Sequence, residues 1–468
     1  MMKKTDNPIA PQNATAPAER PRIKPPAIRP RPPKVPKQPA DAPKHPAAPS
    51  HAPHAPHAPH APKDPHKPGR GPRRTRRDRM PVDRPGAIKP SSAAKFGPSK
   101  SLVAQTQGNA PEIKSNPEAV RFVPLGGLEE VGRNCMFLEY KNEIVIIDVG
   151  LQFPEEETPG IDYIIPNIQY LERKKENIQA IILTHGHYDH IGALPHLLAK
   201  LGNPPIYATS ITKAIIEKRQ EDFPNSPKMN VMVVKNGTDV KISQNFGALF
   251  FGVPHTIPET TGVLMKTPAG NIVHFADFRL DYDDEGNPHG LEEFEAIGKM
   301  GVHSFMVDST AAERPGHSVS EKTVERNLEE IFKTAEGRII VATFASLITR
   351  IAEIIKIAEK LGRKVALNGY SMKTNIQIAQ GLGFVKAKEG TLISVEEVAK
   401  YKDEKILILS TGAQGESNAG LMKMINGEHR HIKIKPGDTF ILSSSVIPGN
   451  ERSVQSVKDN LARQGANV

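Results

Sequence analysis

The sequence predicts an α/β protein with two folded units behind a long segment that cannot build a core. Three observations carry this reading. Composition breaks near residue 120, where a Pro/His/Arg-rich stretch gives way to apolar runs. From Arg121 to about residue 311, strand patterns dominate. Beyond residue 312, helical and strand patterns alternate, the signature of a parallel sheet with crossover helices.

Residues 1–120 hold 27 of the 43 prolines, with 23 Lys/Arg against 8 Asp/Glu and a single phenylalanine. Ordering a chain costs roughly 1–2 kcal/mol per backbone residue, and this segment has little apolar surface to offset that. We therefore expect it to be disordered. The net charge of +10 divides into +15 for residues 1–120 and −5 for residues 121–468, so the basic character belongs to the tail.

Within the tail, His51, His54, His57 and His60 recur every third residue. In polyproline II they would share one edge, which suits a low-complexity spacer with at most weak metal affinity. Arg70 to Arg79 packs six arginines into ten positions. That run serves either as a solubilising tract or to attract RNA phosphates and RNA-degradation partners. The start has lysines but no apolar stretch behind them, and no run of about 18 apolar residues occurs, so neither a secretory signal nor a membrane span is expected. The single cysteine, Cys135, excludes a disulfide scaffold, fits a reducing cytoplasm and reads as a small buried apolar residue.

In the first folded unit, Phe137–Tyr140 and Ile144–Asp148 read as a hairpin, Ala180–Thr184 as a buried strand and Ile191–Leu201 as a helix. Further strands are expected at Ala248–Val253, Gly262–Lys266, Ile272–Phe275 and Phe305–Val307. The second unit reads as helix Glu321–Ala335, strand Arg338–Thr343, helix Leu347–Leu361, strand Lys364–Leu367, helix Thr374–Leu382, strand Lys405–Leu409, strand Thr439–Ser443 and helix Glu451–Arg463.

The chemistry concentrates in Thr184-His185-Gly186-His187-Tyr188-Asp189-His190, at the exit of a buried strand. Three imidazoles and a carboxylate fall within six residues, on a loop held by scaffold at both ends. In an extended loop His185 and His187 project to one side and can reach one ion, while Asp189 and His190 turn with the helix start and can reach another. Imidazole and carboxylate without thiolate favour zinc or manganese.

This segment resembles the H-x-H-x-D-H signature of the metallo-β-lactamase superfamily. Asp148, His255 and Asp277 follow the order of its other motifs. The closer likeness is to the ribonuclease J family of the β-CASP branch, through Pro124–Gly132, Leu151–Pro154, Asp308-Ser309-Thr310, Asn368–Met372, Ser410–Glu416 and Ile447–Glu451.

The resemblance implies an αββα metallo-β-lactamase sandwich at residues 121–311 with a β-CASP domain at 312–468. It implies two divalent metal ions, zinc foremost, with manganese or magnesium as alternatives. His185, His187 and His255 would hold one, Asp189 and His190 the other, with Asp277 between them. Asp148 would support the ligands from behind, and Asp189 would orient the attacking water. Asp308, Ser309, Thr310, Gly412 and Gln414 would contact RNA, while Tyr188 points away from the ions and is expected to matter little.

The activity implied is cytoplasmic 5′-to-3′ exonucleolytic trimming of 5′-monophosphorylated RNA, with endonucleolytic cleavage, by a homodimer or homotetramer in the complete protein. The family's two later histidine stretches, of the type V-S-G-H and P-V-H-G, do not occur in these residues, and they are expected beyond Val468. The alternatives are a truncated, catalytically weak RNA-binding form and a small-molecule metallo-hydrolase of the same fold.

Overall fold

A computed structural model describes residues 116–153, 160–283, 286–447 and 449–468. The tail expectation for residues 1–115, and the motif residues Pro154 and Pro448, lie outside the described residues. Residues 116–120 form a turn that joins the fold, where the Tyr140 hydroxyl donates to Glu118 at 2.8 Å and Val120 packs on the interior.

The first sheet runs in chain order through six strands: β1 (Arg121–Gly126), β2 (Cys135–Tyr140), β3 (Glu143–Ile147), β4 (Ile178–Ile182), β5 (Ile206–Ala208) and β6 (Val231–Val233). Its first three strands are antiparallel and its last four parallel. The second sheet orders β7 (Asp239–Lys241), β8 (Gly247–Gly252), β9 (Thr261–Thr267), β10 (Gly270–His274) and β11 (Val302–Met306). All its pairings are antiparallel except β10 with β11.

Strand alternation explains why the two sheets stack. Leu138, Val145, Ile147, Ala180 and Ile182 face Phe246, Phe250, Val263 and Met265 across one interior. The opposite face of the first sheet, including Phe137, Ile146 and Ile181, packs on helices carrying Leu171, Leu194 and Ile211. The outer face of the second sheet packs Val273 and Phe275 against Ile297 of helix Glu292–Gly298. The result is four layers, helix–sheet–sheet–helix.

A third sheet is all parallel, in the order β14 (Leu392–Ile393), β13 (Lys364–Asn368), β15 (Ile406–Ser410), β12 (Ile339–Ala342) and β16 (Thr439–Leu442). Ile339, Val341, Leu407 and Leu409 face helices Glu321–Thr334, Ile348–Lys360 and Tyr370–Gly381. Ile340, Ala342 and Ile408 face helices Gly420–Ile425 and Glu451–Arg463. Each fully buried aliphatic side chain contributes about 1.5–3 kcal/mol relative to exposure.

The hairpin pairs Tyr140 with Glu143, so its turn is Lys141-Asn142, with Lys141 in the left-handed region at φ 53°. The expected helix Ile191–Leu201 is instead two short helices, Tyr188–Ile191 and Leu194–Leu197. Pro195 sits in the first turn of the second helix and lacks the N–H that a continuous helix would need there. Helix Tyr370–Gly381 begins four residues ahead of the expected Thr374, directly after Gly369 at φ 110°.

Candidate metal centre and its relatives

The site is assembled where the loop after β3 meets the loop after β4. Val149 N–H donates to the His190 carbonyl (2.8 Å), Leu151 N–H to Tyr188 (3.0 Å) and Asn134 N–H to Asp189 (2.9 Å). These bonds fix the backbone of the histidine-rich segment from outside. Gly150 allows the approach, because a Cβ there would lie 1.6 Å from the Asp189 carbonyl oxygen.

Asp148 is fully buried at φ 59° and accepts from Thr184 N–H (2.8 Å) and Thr184 Oγ1–H (2.9 Å). Nδ1 of His190 lies 2.8 Å from its Oδ2. An ionised carboxylate only accepts, so Nδ1 carries a proton and Nε2 is the nitrogen turned toward the site, the one that would present a lone pair to a bound cation. That Nε2 lies 3.5 Å from Asp189 and 3.3 Å from Asp277.

The same logic orients His185. Thr184 Oγ1 has spent its proton on Asp148 and accepts from His185 Nδ1 at 3.0 Å, which frees His185 Nε2. Nε2 of His185 and Nε2 of His255 lie 2.9 and 3.3 Å from Nδ1 of His187.

Two donor sets result, one of His185, His187, His255 and Asp277, the other of Asp189, His190 and Asp277. Within each set the ligand-capable atoms lie within 4.8 Å of one another. Asp277 belongs to both, delivered by Ala276 in the left-handed region at φ 58°.

The donors fit divalent cations. Among the described residues the buried far nitrogens of His187 and His255 have no hydrogen-bond partners, while their near nitrogens converge with that of His185. A divalent cation at that point would satisfy those lone pairs and the Asp277 carboxylate together.

Burial, then the charge of neighbouring imidazoles, holds His185 well below its ordinary range and brings His255 down to about 3. Burial also lowers His187. All three are neutral at physiological pH, the form that ligates. Burial pushes Asp277 up, but the charge and hydrogen bond of His190 reverse this and hold the carboxyl low. Burial pushes His190 down, and Asp277, Asp189 and Asp148 together raise it well above its ordinary value.

The residues expected to contact RNA are placed less uniformly. Ser309 and Thr310 are exposed, in a turn where Thr310 N–H donates to Asp308 at 2.7 Å. Gly412, at φ 110°, is confined by Leu421 and Ala419. Gln414 is buried, and its amide is already engaged with Ser444, Ser445 and the Ile447 N–H, so it braces that loop from within.

Sequence reasoning missed Asn134, whose Nδ2 lies 3.1 Å from His190 Nε2 and 3.4 Å from Asp189 Oδ2. No local motif marks it, because it reaches the site from 55 residues away.

Residues 128–309 match the model of the metallo-β-lactamase superfamily. This fold implies divalent metal ions, and the paired His/Asp donor sets are a candidate site for them. Residues 336–461 match the β-CASP domain of ribonuclease J. The chain therefore combines a metallo-β-lactamase domain with a ribonuclease J β-CASP domain.

It is 41% identical over 348 residues to ribonuclease J of Mycoplasma pneumoniae, covering 74% of this chain and 61% of that protein. It is 39% identical over 356 residues to ribonuclease J 1 of Streptococcus pyogenes serotype M3 (76% and 63%), and 41% over 355 residues to ribonuclease J of Thermus thermophilus (75% and 62%). The chain thus spans about three-fifths of the length of these relatives. A solved protein of unknown function from Enterococcus faecalis V583 shares the fold, with TM-score 0.54, 16% identity, and coverage of 74% of this chain and 86% of that one. Among the described residues no helix is long and apolar enough to cross a membrane.

Proposed function

We propose that the chain is the catalytic portion of a metal-dependent ribonuclease that degrades 5′-monophosphorylated RNA in the 5′-to-3′ direction and also cuts internally. In this reading residues 121–311 form the metallo-β-lactamase unit and residues 312–468 the β-CASP unit. The observation that carries it is the sharing of Asp277 between two donor sets. Such a pair suits in-line displacement at a phosphodiester, where attacking and leaving oxygens both need charge neutralised.

His185, His187 and His255 would hold one ion and Asp189 and His190 the other, with Asp277 between. Zinc is the ion we favour, with manganese or magnesium as alternatives. Divalent cations there supply positive charge to the phosphate oxygens and acidify the attacking water. Asp189 orients that water, and Asp148 keeps His190 in its ligating tautomer. Asp308, Ser309, Thr310 and the glycine-rich turn at Gly412 approach the RNA backbone, and Gln414 shapes that turn. The complete protein acts in the cytoplasm as a homodimer or homotetramer, its basic tail available to RNA or to RNA-degradation partners.

The test is degradation of 5′-monophosphorylated RNA by the complete protein, with and without chelator. Activity that depends on divalent ions and is lost in His185→Ala supports the reading. Undiminished degradation by His185→Ala overturns it.

A further inference from the structure

Tyr188 and Tyr370 come from different sheets' flanking helices, yet they line one cleft with Arg219, Asp222 and Ser371. Tyr188 opens helix Tyr188–Ile191, between His187 and Asp189. Tyr370 opens helix Tyr370–Gly381, which packs against helix Ser210–Gln220, the bearer of Arg219. Tyr370 is 71% exposed and Tyr188 37%.

One wall of the cleft is already built. The Arg219 guanidinium lies 4.5 Å from the Tyr188 ring centre and 5.3 Å from that of Phe223, which fixes both planes. Among the described residues the buried Nε atom of Arg219 has no hydrogen-bond partner, and no carboxylate forms an ion pair with Arg219. The other wall, Tyr370, stands open to solvent.

The charge around this cleft is mixed. Lys218 is tied to Glu221 at 2.5 Å, and Asp222 adds a carboxylate to the lining. A phosphate would meet that carboxylate, whereas the lining offers an uncharged ring two tyrosines and the guanidinium stacked on one of them. Every base has such a face, and stacking on Tyr and Arg tolerates any sequence.

We propose that Tyr188, Arg219 and Tyr370 form a stacking subsite for a nucleobase of single-stranded RNA next to the scissile phosphodiester. The proposal rests on the ribonuclease reading. It gives Tyr188 a binding role, one residue along the chain from Asp189, that metal ligation does not require of it. It also explains why a large aromatic side chain is left in water at the start of helix Tyr370–Gly381.

The test uses the metal-loaded chain and phosphorothioate-linked oligoribonucleotides carrying 2-aminopurine at successive positions. Stacking quenches that base, so binding should darken it at one position. Tyr370→Ala should remove the quench and weaken binding by roughly tenfold, within the range for one lost stacked base, while Tyr370→Phe retains both. Tyr370→Trp would give the chain its sole tryptophan, whose emission should fall on RNA binding.

Wild-type binding and quenching preserved in both Tyr370→Ala and Tyr188→Leu, with unchanged circular dichroism, overturns the subsite and leaves the ribonuclease reading standing. A wild-type chain that binds none of these RNAs overturns that reading, and the subsite with it.

Discussion

Oδ2 of Asp148 and Nδ1 of His190 lie 2.8 Å apart in the interior, and this contact decides which nitrogen His190 turns toward Asp277. Asp148→Asn would present an amide that can donate as well as accept, so the tautomer of His190 is no longer dictated. We expect metal affinity at the Asp189/His190/Asp277 set to fall by roughly 10–100-fold, with the set built on His185 less affected. Equilibrium dialysis with metal analysis reads this directly, and unchanged stoichiometry at limiting metal would refute the role given to Asp148.

Gly150 offers a steric test of the same frame. Its hypothetical Cβ would overlap the Asp189 carbonyl and approach the Asn134 nitrogen to 2.8 Å. Gly150→Ala should destabilise the fold by more than about 3 kcal/mol, because backbone on both sides must move. Gly298→Ala is the control, since a Cβ there meets nothing within 4 Å and the residue ends a helix. Calorimetry should show a large fall in Tm for the first and little change for the second.

What could be read from the sequence follows from where each signal is local. The His185–His190 segment announces itself because its donors are neighbours in the chain, and helix Glu451–Arg463 shows its apolar face through Val454, Val457 and Leu461. Strands β5, β6 and β7 have three residues each, too few for an alternation to show. Helix Ser210–Gln220 went unread for a related reason. Its N-cap, Thr209, makes no side-chain capping bond; Glu259 instead accepts from Ser210 Oγ at 2.5 Å and from Ile211 N–H at 3.2 Å, a tertiary contact with no local signature. Asn134 and the bracing role of Gln414 are tertiary facts with no sequence period behind them.

Glu321 joins the site loop to the parallel-sheet unit, and its contribution depends on pH. Its carboxylate accepts from Arg279, two residues beyond Asp277, and from Arg350 Nε at 3.1 Å, while Arg350 Nη1 also donates to the Ser443 carbonyl. Burial raises the Glu321 carboxyl, but the hydrogen bonds and charges of Arg350 and Arg279 outweigh it and leave the group below its ordinary value. A lowered folded pKa means that stability is present above the unfolded pKa and lost as pH falls through the folded one. Glu321→Gln should therefore cost about 1 kcal/mol at neutral pH, the group being partly exposed, and the gap to wild type should close in acid. Thermal unfolding across pH checks this, and a gap that widens in acid would contradict it.

Cys135 turns the interior of the first sheet into a reporter of unfolding. It begins β2, is 1% exposed, and burial followed by the charge of Asp148 pushes its thiol up to about 12. The thiolate is the reactive form, and an unfolded cysteine ionises near its ordinary value, so at pH 8 the folded chain holds on the order of a thousandfold less thiolate. Exclusion of the reagent from a close-packed core adds to that. Disulfide-exchange reagents should accordingly leave the native chain untouched and modify it stoichiometrically in denaturant, since no other cysteine competes. Labelling at intermediate denaturant should follow the unfolded population measured by circular dichroism. Rapid modification under native conditions, ahead of any loss of secondary structure, would show that β2 opens on its own and that the sandwich is not the cooperative unit its shared interior implies.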